Sequence, residues 1–154
     1  MRRPYTVKPK IDFLKNLKIC RYWVKSKYKL NLNDLEMLLF LHTEGYFTRE
    51  QFNNYKNIMP WSHSKFFSLR KDGWITAWRE QKGREAALWE ISHKGKRVVT
   101  EFYQRLTGEK LISETPGLNP MFKKSASYTD KVFRHAIKQS NKDIIKQRQR
   151  RALE

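Results

Sequence analysis

Cysteine is almost missing from this chain. The single Cys20 cannot close an intrachain disulfide, and its four histidines, His42, His63, His93 and His135, have no Cys or His neighbour at ligand spacing. A disulfide scaffold and structural zinc are therefore set aside, and a reducing compartment fits. Acidic residues are scarce too, fifteen Asp and Glu against thirty-three Lys and Arg, which leaves a net charge of +18. Long apolar runs are lacking: no stretch approaches the roughly 20 residues of a spanning helix. Lys15 and Lys18 interrupt the apolar residues after Met1-Arg2-Arg3-Pro4, so no signal-peptide core forms. The reading is a soluble, cytoplasmic protein with no membrane partner. What is present suffices for a core, with 39% hydrophobic and 14% aromatic residues in 154.

The positive charge far exceeds what solubility demands and points to a polyanionic partner, nucleic acid before membrane. It is unevenly distributed. Residues 1–30 carry ten basic and one acidic residue, 31–108 twelve and nine, and 109–154 eleven and five. This divides the chain into a basic N-terminal arm and helix (1–30), a central globular unit (31–108), and a connection with a C-terminal helix and basic tail (109–154).

Apolar periodicity gives the elements. Phe13, Leu17, Cys20, Val24 and Tyr28 recur every three or four residues and predict a helix from Ile11 to about Tyr28. Asn33 and Glu36 form a candidate capping box for a helix with Leu35, Leu38, Leu39 and His42 on one side, ended by Gly45. Thr48 and Gln51 form a second capping box, opening a short helix through Tyr55. A turn over 57–60 leads to a further helix, about 61–72, closed by Gly73. From Trp74 the period becomes two. Trp74, Thr76 and Trp78 predict one strand, Ala87, Trp89 and Ile91 its return, with Gly83 at the tip. Ser92 caps a long helix carrying Val98, Phe102 and Leu106, stopped by Gly108. Residues 109–127 read as an irregular connection, and Tyr128 to about Gln139 as a helix with Val132, Phe133, Ala136 and Ile137 inward. Residues 146–151 read as a frayed basic tail.

Helix, helix, short helix, helix, hairpin, helix is the order of a winged helix-turn-helix with additional N- and C-terminal helices. The fold class is mainly α with a small β-hairpin (α+β). On a wheel of about 100° per residue Ser62, Phe66 and Leu69 face inward, while His63, Ser64, Phe67, Ser68 and Lys71 face outward. Two explanations of an outward Phe67 stand: a surface or subunit contact, or apolar contact with thymine methyls while His63 and Ser64 reach base edges. Lys65, Arg70 and Lys71 suit phosphate contacts that fix register. Lys82 and Arg84 flank Gly83 on a protruding tip, suited to a narrow minor groove, although Arg84 as a solvated hairpin charge is the plainer alternative. The basic termini would add sequence-independent phosphate contacts. Trp74, Trp78 and Trp89 read as core or sheet-face residues.

Residues 33–107 resemble the MarR (multiple antibiotic resistance regulator) winged-helix family. The likeness rests on Thr48, Ser62, the run Leu69-Arg70-Lys71-Asp72-Gly73-Trp74-Ile75, the charged hairpin 79–84, and Ile91-Ser92-His93-Lys94-Gly95, similar to the family's Leu-Thr-x-x-Gly. The resemblance implies a homodimer built from the terminal helices, with each recognition helix in a major groove and each wing beside the minor groove of double-stranded DNA.

The expected function is sequence-specific regulation of transcription without a cofactor. The chain offers no convergent set of nucleophile, base and orienting group, which argues against an enzyme. The alternative is a winged-helix accessory factor for RNA polymerase or a replication complex, using Phe67, Trp61 and the 109–127 connection as its interface. Richness in Lys, Asn, Tyr and Phe suits an AT-rich genome and a phage-encoded regulator, acting on the nucleoid or in the host cytoplasm.

Overall fold

The computed structural model describes residues 12–154. The expected start of the first helix at Ile11 and the arm before it lie outside the described residues. Among the described residues, six α-helices and a two-stranded antiparallel hairpin make up the fold: α1 (Phe13–Tyr28), α2 (Leu32–Glu44), α3 (Arg49–Asn54), α4 (Ser64–Lys71), β1 (Ile75–Arg79), β2 (Leu88–Ile91), α5 (His93–Leu106) and α6 (Tyr128–Leu153). This is the winged-helix order expected, mainly α with one hairpin. Among the described residues no helix is long and apolar enough to cross a membrane.

The core sits where α1, α2 and α5 meet. Ile19, Cys20, Trp23 and Val24 from α1, Leu35, Met37, Leu38 and Leu41 from α2, and Val98, Val99 and Phe102 from α5 are buried together. Phe13, expected on the α1 stripe, is exposed, because the buried stripe starts at Ile19. His42 also lies outside, one position past the inward Leu41. Each large aliphatic side chain so buried stabilises the fold by about 1.5–3 kcal/mol relative to exposure.

Caps explain most helix starts. Thr48 and Gln51 form the expected capping box, with Gln51 N–H donating to Thr48 Oγ1 at 3.1 Å and Thr48 N–H to Gln51 Oε1 at 2.9 Å. Ser92 Oγ accepts from Gly95 N–H at 3.1 Å to open α5. The cap of α2 is Asn31, not Asn33: Asn31 Oδ1 accepts from Asp34 N–H at 2.8 Å. Buried Leu30 anchors the chain just before it, so the helix starts two residues sooner, and Glu36 pairs with Arg21 at 3.1 Å instead of closing a box.

The hairpin pairs Ile75 with Ile91, Thr76 with Glu90 and Ala77 with Trp89, then shifts register so that Arg79 faces Leu88. Trp74 precedes β1, and β2 begins at Leu88. A contact not foreseen from sequence brings a third chain segment to the hairpin. Phe47, between α2 and α3, exchanges backbone hydrogen bonds with Trp89 at 2.9 and 2.8 Å and ties α2 to the hairpin. Gly95 lets α5 lie close against the hairpin: a Cβ there would stand 3.0 Å from the Trp74 carbonyl oxygen.

The largest correction concerns the C-terminus. α6 runs to Leu153, so residues 146–151 are helical rather than frayed. Its packed stripe continues beyond Gln139 through polar side chains. Buried Asn141 donates to Ile112 O at 2.9 Å, Ile144 lies against Gly108, and Arg148 donates to the carbonyls of Gly108 and Glu109 at 2.6 and 2.8 Å. Val132, expected inward, is exposed, while Phe133 stacks on Tyr22 with ring centroids 4.1 Å apart.

Candidate nucleic-acid interface

The chain between α3 and α4 is built around an aromatic cluster. Phe52 of α3 stacks on Trp61 with centroids 5.0 Å apart and meets Phe66 of α4 edge-on at 5.3 Å. Trp61 Nε1–H donates to Phe52 O at 3.4 Å. Trp61 is thus a buried packing residue, and the expectation that it serves as an exposed interface aromatic is corrected. The same packing moves the start of α4 from the expected Trp61 to Ser64, since the Trp61 backbone turns to insert its indole under α3. Ser62, expected inward, lies outside the helix and is exposed.

Within α4, Phe66 and Leu69 are buried, which leaves Ser64, Phe67, Ser68 and Lys71 along the opposite face, all exposed as expected. These four recur at three- and four-residue steps and so form one stripe. Ser64 and Ser62 hydroxyls are 2.8 Å apart, and Ser68 Oγ donates to Ser64 O at 3.3 Å. Both hydroxyls keep capacity for a further partner. Phe67 is 51% exposed. Its ring carries the Arg49 guanidinium 4.4 Å from the centroid.

His63 precedes the helix in a small polar cluster. Its Nδ1 lies 3.1 Å from Asn53 Oδ1 and its Nε2 lies 2.9 Å from Lys56 Nζ. An ammonium can only donate, so Nε2 accepts and the ring proton sits on Nδ1, donating to Asn53. The pair fixes the ring plane at the head of α4.

The expected cations separate into two groups. Lys65 turns back to α2 and pairs with Asp34 at 3.1 Å, its side chain 29% exposed and that of Asp34 16%. It therefore does not join the outward face. Arg70 lies over the Trp89 ring at 5.0 Å from the centroid, which aims its guanidinium at the junction of helix and hairpin. Lys71, Lys82 and Arg84 are exposed and in no ion pair among the described residues. The wing tip is a two-residue turn, closed by hydrogen bonds between Lys82 and Glu85 at 3.1 and 3.0 Å, with Gly83 at φ 60°. A positive φ at the first central position suits glycine and matches the twist of a hairpin. Arg79 braces the stalk, donating to Ala86 O at 3.1 Å with its guanidinium 3.9 Å from Glu85.

Three contributors escaped sequence reasoning: Arg49, Asn53 and Lys56. Arg49 carried a signal, because a cation at the first position of a helix opposes the macrodipole and so calls for a partner elsewhere. A further unexpected feature lies at the base of the wing, where Tyr46 and Trp78, 50% and 52% exposed, pack with centroids 4.5 Å apart.

Among the described residues no group of His, Cys, Asp and Glu is placed to hold a metal ion. Cys20 is buried in the core, and burial pushes its thiol up to about 12, with Arg105 opposing. No family model, curated protein or solved structure matches this chain. The functional reading therefore rests on the geometry.

Proposed function

We propose that the protein binds double-stranded DNA sequence-specifically and regulates transcription, with α4 in the major groove and the 79–85 wing at the minor groove. The observation that carries this reading is the two-sidedness of α4. Phe66 and Leu69 lock one face into the core, while Ser64, Phe67, Ser68 and Lys71 stand free on the other, directly before a hairpin tipped by Lys82 and Arg84. A helix held this rigidly and followed by a cationic tip has the shape and charge of a major-groove reader.

Ser64 and Ser68 would meet base edges, and Phe67 the methyl groups of thymines. Arg70 and Lys71, with Arg49 and Lys56, would hold phosphates on either side. His63 would be delivered to the groove by its contacts with Asn53 and Lys56. Exposed Phe13 and Leu14 at the start of α1 support a homodimer formed through the terminal helices on their α1 side. A second reading, docking on RNA polymerase or a replication complex, is favoured by the exposed Tyr46–Trp78 pair, an aromatic anchor of the kind enriched at protein interfaces.

Fluorescence anisotropy with the duplex upstream of the protein's own gene and with a random duplex, across a salt series, tests the first reading. It is supported by a preference for one duplex that persists at high salt and is lost in Ser64→Ala/Phe67→Ala. Equal, steeply salt-dependent binding to both duplexes refutes it.

A further inference from the structure

Beyond the α4 reading, we infer that α6 is a second, sequence-independent binding face for duplex nucleic acid, and that the protein thereby bridges two duplex segments. The observation is a ladder of lysines. Lys131, Lys138, Lys142 and Lys146 fall within one narrow sector of the helix, all exposed, with His135 and Gln149 on the same line. From Lys131 to Lys146 the ladder spans about 22 Å of helix axis.

The acids of α6 are elsewhere. Asp130 closes the capping box with Ser127 and accepts from Tyr22, and Asp143 accepts from Gln139 at 3.0 Å, off the ladder. Among the described residues none of the four lysines is in an ion pair. Lys138, Lys142 and Lys146 stand about 6 Å apart along the axis, inside a Debye length of roughly 8 Å at physiological salt. Like charges four residues apart disfavour a helix. This surface weakens its own helix in isolation and is relieved when a polyanion lies along it.

Placement makes the site separate. α6 packs on α1 and the 3-10 turn Pro120–Phe122, whereas α4 packs against β1. α4 and α6 make at most marginal contact with one another, so the ladder lies apart from the α4–wing surface and is taken as the site for another segment. A duplex carries about one charge per 1.7 Å, a density that isolated acidic side chains do not match. A membrane surface fits less well, because the inward side of α6 is packed against protein and its exposed Tyr128, Val132 and Ile145 do not form a continuous apolar face.

The test is bridging by the full chain. One random duplex is immobilised on beads, the protein is added, and capture of a second, fluorescent random duplex is measured over a salt series. Three proteins are compared: wild type, Lys138→Gln/Lys142→Gln/Lys146→Gln and the corresponding triple Lys→Arg variant, each checked for unchanged helix content by circular dichroism. Capture by wild type and by the Arg variant, with capture by the Gln variant weakened at low salt, lost at higher salt and flatter in its log–log salt slope by about 2.7, is the expected result. No capture by wild type, capture by the Gln variant equal to wild type, or failure of the Arg variant to capture overturns it. The bridging inference rests on duplex binding by α4 and the wing, so anisotropy of each protein with one random duplex is read beside capture: loss of all duplex binding strikes the α4 reading, whereas retained binding without capture strikes this inference.

Discussion

Two lysines on one short helix separate the structure's account of the interface from the charge count. Lys65 and Lys71 are both basic residues of α4, yet Lys65 is held by Asp34 at 3.1 Å in a partly buried pair while Lys71 is exposed and unpaired among the described residues. Replacing each by Gln removes one charge. In Lys65→Gln the Asp34 carboxylate loses its partner but keeps the first turn of α2 behind it, where the helix dipole favours an anion. The net cost is that of a partly exposed ion pair after screening, about 1 kcal/mol. For a chain of this size that lowers Tm by roughly 2–4 °C. The salt dependence of DNA binding should not change, because no phosphate contact is lost. In Lys71→Gln stability should hold within about 0.5 kcal/mol, while the slope of log K against log salt flattens by about 0.9. Thermal melts and salt-series anisotropy on the two variants make the comparison. Equal flattening in both, or flattening in Lys65→Gln alone, would refute the reasoning and put Lys65 on the DNA.

Further outcomes follow from single contacts. Gly95→Ala gains about 1 kcal/mol of helix propensity but sets a methyl 3.0 Å from the Trp74 carbonyl, which already accepts from Ser92 N–H at 2.8 Å. A net loss of about 1–2 kcal/mol is expected by urea denaturation, and a more stable variant would show that α5 and the hairpin are not in close contact. With its thiol pushed up to about 12, native Cys20 at pH 8 holds roughly a thousandth of the thiolate of a free thiol. It should resist iodoacetamide until the protein unfolds; alkylation at the denatured rate under native conditions is the contrary result. The raised value also sets a sign. The folded state keeps a proton that the unfolded chain releases near pH 9, so this contribution is whole below pH 9 and is lost as pH rises toward 12. Arg148→Ala removes the bonds to Gly108 and Glu109 and should speed amide exchange over the last two turns of α6 while shifting the global midpoint by less than about 1 kcal/mol. Unchanged exchange would mean that Arg148 does not hold the helix end.

What could be read from the sequence follows from which signals are local. The capping boxes, the change of period at Gly73 and the glycine-tipped hairpin concern residues a few positions apart, and they placed the winged-helix order and the outward face of α4. The misreadings share a different cause. Hydrophobic periodicity ends α6 at Gln139 because it detects only apolar packing, whereas buried Asn141 and exposed Arg148 hold the rest of the helix by hydrogen-bonding carbonyls 29 to 40 residues away. Pro60 suits a helix entry and so puts Trp61 at the helix start on local grounds, while its packing partner Phe52 lies across a turn. The site divides in the same way. Ser64, Phe67, Ser68 and Lys71 were legible from a wheel, since their exposure depends on one helix. The role of Lys65 depended on Asp34, and Arg49 entered through the Phe67 ring. A cation's availability to a phosphate is set by whether a carboxylate has claimed it first and, for Arg49 and Arg70, by the ring that aims it, which is a tertiary property. A charge of +18 is what the proposed polyanionic partner would answer, but the pairing of individual cations decides where such a partner could lie, and among the described residues it leaves unpaired Lys71 on α4, the wing tip and the ladder on α6.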